Sequence, residues 1–146
     1  MAALLNVYRF GLLCLAMLLL SQCAPPPPDQ TLAGTWRLRC FESADGSWMS
    51  CEPDHIARPV VIAFDDRGRG GHFDGETVTN YLRGTYRITG PGRVEIRSLD
   101  GSLQGEPVWS SQLWEALRTT GGFARSSRTM ELRYQQDSLR MIWELQ

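Results

Sequence analysis

From Leu32 onward the apolar residues recur mostly at every second position, the spacing a β-strand produces when one face is buried and the other meets water. Trp36, Leu38 and Cys40 alternate with Arg37 and Arg39, Tyr86 and Ile88 flank Arg87, and Val94 and Ile96 flank Glu95. Met130, Leu132 and Tyr134 are separated by Glu131 and Arg133, and Leu139, Met141, Trp143 and Leu145 supply a last alternating stretch. Residues 60–64 form a short unbroken apolar run, the pattern of a strand covered on both faces. Asp65-Asp66-Arg67-Gly68, Gly90-Pro91-Gly92, Asp100-Gly101 and Gln136-Asp137-Ser138 are turn signals between these runs. Gly68-Arg69-Gly70-Gly71 reads as a hairpin turn, and the glycines around His72-Phe73-Asp74-Gly75-Glu76 favour a solvated acidic loop. The pattern predicts a succession of antiparallel hairpins.

One segment departs from period two. Residues 110–118 place Leu113 and Leu117 four apart behind Ser110, a good helix N-cap, and ahead of a Gly121-Gly122 stop. A short helix here would lay Leu113, Trp114 and Leu117 on the open face or mouth of a curved sheet. The expected fold is therefore mainly β (α+β): an antiparallel curved sheet or half-open barrel packed on one short helix. With 146 residues, one domain is expected.

The first 22 residues follow a different rule. A lone cation at Arg9 precedes an apolar run over residues 10–20, about half of what a helix needs to cross a bilayer, which is the form of a secretory signal. Its exit, Leu20-Ser21-Gln22-Cys23, resembles a bacterial lipobox, in which the cysteine thiol is acylated and then becomes the new N-terminus; Gln22 is bulkier than the residue usual there. The competing expectation is a signal cut by the ordinary peptidase, leaving Cys23 an idle thiol. Cysteine arithmetic favours acylation: Cys14 leaves with the leader, Cys40 and Cys51 can pair, and Cys23 would otherwise be a lone thiol in an oxidising compartment. Two or more acyl chains make a stable anchor where one is marginal. Ala24 follows the cysteine rather than Asp, which under the enterobacterial sorting pattern favours the outer membrane. Four consecutive prolines then give residues 23–31 the character of a stiff tether, leaving residues 32–146 as the folded domain.

Composition narrows the function further. The chain carries 15 Arg and no Lys against 16 acidic residues, a formal net charge of −1, with no basic stripe of the kind that displaces counterions from nucleic acid. Cys40 and Cys51 bracket the turn dipeptide Asp45-Gly46, so a disulfide would tie the first strand to the segment after it; a two-thiol metal site with His55 is the alternative. His72, Asp74 and Glu76 alternate but lack a second histidine, Asp65-Asp66 fails calcium-loop spacing, and Gly101-Ser102-Leu103-Gln104-Gly105 puts its serine one place early for a nucleophile elbow. No catalytic residue, metal site or cofactor is expected. Trp36, Tyr81, Tyr86, Trp109, Trp114 and Trp143 read as core, with a lining for a small hydrophobic ligand as the alternative. Trp48, inside the prospective disulfide loop, and Trp109, beside Pro107, are the candidate contacts for a ligand or protein partner.

Across roughly residues 60–145 the order of these elements resembles the META domain family of HslJ-like bacterial lipoproteins. Val61-Ile62-Ala63-Phe64 with Gly68 to Gly71 is similar to its strand and glycine turn, and Thr79-Asn80-Tyr81-Leu82-Arg83-Gly84-Thr85-Tyr86 to its Cys-Asn-aromatic element. Leu113 to Leu117 stands in the place of its helix, and Met130-Glu131-Leu132 with Leu139-Arg140-Met141-Ile142-Trp143 resembles its closing hairpin. Thr79 replaces the family's cysteine, and its later Thr-x-x-x-Cys element is missing. The resemblance implies an antiparallel β fold on one helix, an envelope location and roles in stress tolerance, drug resistance or secretion, without catalytic residues. Gly34-Thr35-Trp36 also resembles the Gly-x-Trp opening of lipocalin-like barrels, including small periplasmic protease inhibitors. The expectation is a non-enzymatic, periplasm-facing outer-membrane lipoprotein of a Gram-negative bacterium, held through acylated Cys23 and acting on an envelope protein. The alternatives are a binder of a small hydrophobic ligand and an inhibitor of a protease or lysozyme.

Overall fold

The computed structural model describes residues 27, 30–102 and 104–146; the expected signal segment and the acylation site Cys23 lie outside the described residues. Nine strands and one helix follow in order: β1 (Gly34–Ser43), β2 (Met49–Cys51), β3 (Val61–Asp66), β4 (Gly70–Glu76), β5 (Tyr81–Gly90), β6 (Arg93–Gly101), α1 (Val108–Arg118), β7 (Thr120–Arg125), β8 (Thr129–Tyr134) and β9 (Leu139–Leu145). All pairings are antiparallel, and β9 returns to pair with β1 from Trp36↔Leu145 to Ser43↔Leu139. The result is a closed eight-stranded barrel, with β2 as an extra strand that pairs with the far half of β1 while β3 pairs with its near half. The mainly β fold with one packed helix holds, and the half-open sheet is in fact a closed one.

Alternation along the strands explains the closure. Trp36, Leu38 and Phe41 on β1, Ile62 and Phe64 on β3, Leu82, Tyr86 and Ile88 on β5, and Met141 and Trp143 on β9 all point inward and merge into a single buried cluster. Among the described residues, every member of that cluster lies at or after Leu32. Phe73 joins from β4, where a loop was expected. The glycines there serve the sheet rather than interrupt it: a Cβ on Gly71 would stand 1.7 Å from the Asp65 carbonyl oxygen of β3. Likewise Gly121-Gly122 does not end the helix in a turn but opens β7, which carries the buried Phe123.

The seams are unequal. β6 and β7 share a single bridge, Arg93↔Gly122, and beyond it the two strands part. Helix α1 is inserted in the chain between these two strands. It begins three residues earlier than expected, with Pro107 in place of Ser110 as its N-cap and no side-chain cap bond. Ser110, expected at the cap, is fully buried instead, its hydroxyl donating to Glu106. The inward face of the helix carries Trp109, Leu113, Trp114, Ala116 and Leu117.

Candidate functional site

The two ends of the barrel are built differently. At the first end lie the start of β1, the β3–β4 turn, the β5–β6 turn and the β7–β8 turn. The chain enters here, and Leu32, fully buried, fills the floor. The Trp36 indole N–H donates to the Leu32 carbonyl at 2.9 Å, and Arg125 clamps the outside of the same ring, its Cζ 5.0 Å from the ring centroid. Arg125 also donates to the Ala33 carbonyl at 2.8 Å. Thr31 donates to Asp66 on the β3–β4 turn, fastening the entering chain to the rim. Beside it, Gln30, Arg69, Ile88, Thr89, Gly90 and Pro91 border a groove of about 350 Å³.

The second end is closed by α1 and a polar lock. The Glu106 carboxylate accepts from Thr77, from Ser110 and from the Asn80 side-chain amide at 2.6 Å, as well as from the Asn80 backbone N–H at 3.1 Å. Asn80 also bridges to Gln104, donating to its carbonyl at 2.8 Å and accepting from its N–H at 2.7 Å. Burial works against the charge on Glu106, but the donors Ser110, Thr77, Asn80 and Thr79 outweigh it and hold the pKa below the ordinary glutamate value. These donors all bond within the fold, so the cluster pins the β4–β5 turn to the helix entrance. Residues 79–81, the stretch resembling the family's Asn-aromatic element, thus fall in a structural lock.

Also at the second end is the β1–β2 hairpin. Cys40 and Cys51 face each other in register and form a disulfide, the pairing expected from the sequence. The turn is tightened by Asp45, whose carboxylate accepts from the Ser47 backbone N–H and from the Ser43 and Ser47 side chains; these bonds lower its pKa to about 2. At the tip Trp48 is 44% exposed, followed by Met49 at 63%. Val108 at the start of α1 and Tyr81 at the start of β5 are the other large exposed apolar side chains among the described residues, and both lie at this same end. Trp109 does not join them. Its ring is 7% exposed, sits edge-on to Phe41 at 5.9 Å, and donates its indole N–H to the Ser50 carbonyl at 3.2 Å. The expected surface contact is thus a bolt between the helix and the hairpin, because the helix starts early enough to turn residue 109 inward. Met49 and Val108, missed as surface residues, flank the two residues of that bond.

Of the tyrosines and tryptophans expected in the core, Tyr81 is exposed instead, because it opens β5 on the outward side, while the others are taken up by core packing, with Trp36 and Trp143 among the largest fully buried side chains. Tyr86 Oη and Trp143 Nε1 are buried inside the barrel without a hydrogen-bond partner. His72 and Asp74 lie on the outer face of β4, beside Arg83 and Asp100 on the next two strands. No cluster of three or more metal-ligating side chains occurs among the described residues, and no described helix is long and apolar enough to cross a membrane.

No protein-family model and no curated protein matches the sequence. The fold is similar to that of a protein from Burkholderia xenovorans solved by NMR, with a TM-score of 0.65 at 19% identity over 84% of this chain and 92% of that one. It is also similar to a DUF4847 family protein from Bacteroides vulgatus, with a TM-score of 0.59 at 17% identity over 77% and 92% of the two chains. At such identities the likeness is one of fold.

Proposed function

We propose that this chain is a non-enzymatic, META-like lipoprotein, anchored through acylated Cys23 in the outer membrane and facing the periplasm, which serves envelope integrity, stress tolerance or assembly by binding another envelope protein. The observation that carries the reading is the placement of the exposed apolar side chains. Trp48, Met49, Val108 and Tyr81 all stand at the end of the barrel opposite the one where the chain from Cys23 enters. A protein tethered by its N-terminus would turn that end away from the lipid and toward neighbours, and tryptophan on a rigid hairpin is a common anchor of protein interfaces. The filled interior favours contact through this surface over carriage of a hydrophobic ligand.

Labelling cells with a radioactive fatty acid tests the anchor: label is expected on the wild type and absent from Cys23→Ala, and equal label on both defeats it. A photocrosslinking residue at position 49, beside Trp48, should capture one envelope protein that the same residue at position 128, at the other end, does not. A second reading, inhibition of a periplasmic protease or lysozyme, draws on the stapled Trp48 hairpin as an inserting loop. Inhibition abolished by Trp48→Ala would favour it.

A further inference from the structure

The barrel is electrically polarised along its axis. Around the first end, Arg69 on the β3–β4 turn, Arg87 near the end of β5 and Arg128 on the β7–β8 turn are exposed, and none forms an ion pair with a described residue. Arg67 and Arg125 lie at the same rim, where Arg67 is paired with Asp65 and Asp66 is bonded to Thr31; Arg93, at the foot of β6, is paired with Asp137 of the β8–β9 turn. Around the second end, Asp45, Asp54, Glu76, Asp100, Glu115 and Asp137 outnumber Arg58, which pairs with Glu76, Arg83, which stands opposite Asp100, and Arg118. The chain from Cys23 arrives at the basic end, since Gln30 borders the groove beside Arg69 and Thr31 is bonded to Asp66.

We infer that the basic end docks on the anionic headgroups of the membrane that holds the tether. The inference rests on the anchoring reading above, which sets the orientation. Fully extended, the segment from Cys23 to Gln30 spans at most about 25 Å, so the first end stays close to the lipid whatever path the segment takes. An anionic surface attracts arginines only within about one screening length, roughly 8 to 10 Å at physiological salt. The tether supplies the proximity that a few unpaired cations could not achieve alone, because a short linker raises the effective concentration to about millimolar. With the basic end docked the acidic end lies beyond that screening length, and it would meet repulsion only if the barrel lay down on the surface, so the field favours the upright pose. The groove bordered by Arg69, Thr89 and the backbone of Gly90 offers a phosphate group one cation and one hydroxyl beside the apolar Ile88 and Pro91.

The test uses the chain from Ala24 onward, which retains the whole barrel and core and lacks the acylated cysteine. It is co-sedimented at low salt with vesicles of phosphatidylcholine alone or of phosphatidylcholine with one third phosphatidylglycerol. Binding is expected only to the anionic vesicles and should fall by about thirtyfold or more in the double variant Arg69→Glu with Arg128→Glu. Arg83→Glu with Arg118→Glu changes the net charge equally from positions away from the rim and should leave binding within about twofold, by the same surface-field argument. Equal loss in both pairs, equal binding to neutral vesicles, or no binding to anionic ones overturns the docking. Because Cys23 is absent, these results are separate from the labelling experiment: anionic binding with an unlabelled Cys23 would sink the anchor and leave this surface standing.

Discussion

The two ends of the barrel solve the same problem, covering an exposed core, with opposite means. The end at which β1 begins is sealed by an apolar plug, Leu32 over Trp36, clamped by Arg125. The helix end is sealed by α1 and held by hydrogen bonds converging on Glu106 and by the Trp109–Ser50 bolt. Stability at the first end therefore rests on area and fit, and at the second on the satisfaction of polar groups. The first leaves its apolar groups inside and its cations outside, whereas the second leaves large apolar groups in water. On the function proposed above, these exposed side chains are the contact surface.

The largest way to break this contrast is Trp36→Ala, which removes a fully buried ring together with the Leu32 bond and the Arg125 stack, and should cost about 4 kcal/mol in chemical denaturation. Trp109→Ala, at the other end, should cost less, about 3 kcal/mol, because the helix can settle toward the vacated space. If the order were reversed, the plug would not be the keystone argued here. Replacing both Cys40 and Cys51 by Ser opens a loop of sequence separation 11 and should cost about 3 kcal/mol by chain entropy. The same change should loosen the Trp48 hairpin, seen as faster amide exchange from residue 43 to 50.

Glu106→Ala should cost about 2 kcal/mol, since Thr77, Asn80 and Ser110 lose their shared acceptor. The effect has a pH signature. The folded-state pKa of Glu106 lies below its ordinary value of 4.5, so the charged lock contributes fully above that value and fades as pH falls through the lower, folded-state one. The stability gap between wild type and Glu106→Ala, measured by urea midpoints, should be constant near neutrality and narrow on acidification. A gap independent of pH would mean that the donors give the charged form no preference over the neutral one, and a gap that widens on acidification would mean that the neutral acid is the form held. The smallest effect is Trp48→Ala, expected within about 0.5 kcal/mol of wild type in stability while abolishing crosslinking to a partner.

Period-two alternation made most of the strands legible because an inward residue on any barrel strand must be apolar, whatever its neighbours across the sheet. β4 and β7 were hidden by glycine. At Gly71 and Gly122 the absence of a side chain answers to a neighbouring strand or side chain, a demand set by parts of the chain far away in sequence, while the local signal reads as a loop or a stop. The Cys40–Cys51 pair could be anticipated by counting thiols. The Glu106 lock could not, because its partners at 77, 80 and 110 converge only after β4, β5 and the helix are in place. Trp109 misled for a related reason: the adjacent proline suggested a surface segment, whereas Pro107 starts the helix and turns the ring inward.

The single bridge between β6 and β7 gives the hoop a clasp. Were the helix to lift, the strand edges of β6 and β7 beyond that bridge would be bared, and bare edges of this kind invite pairing with another chain.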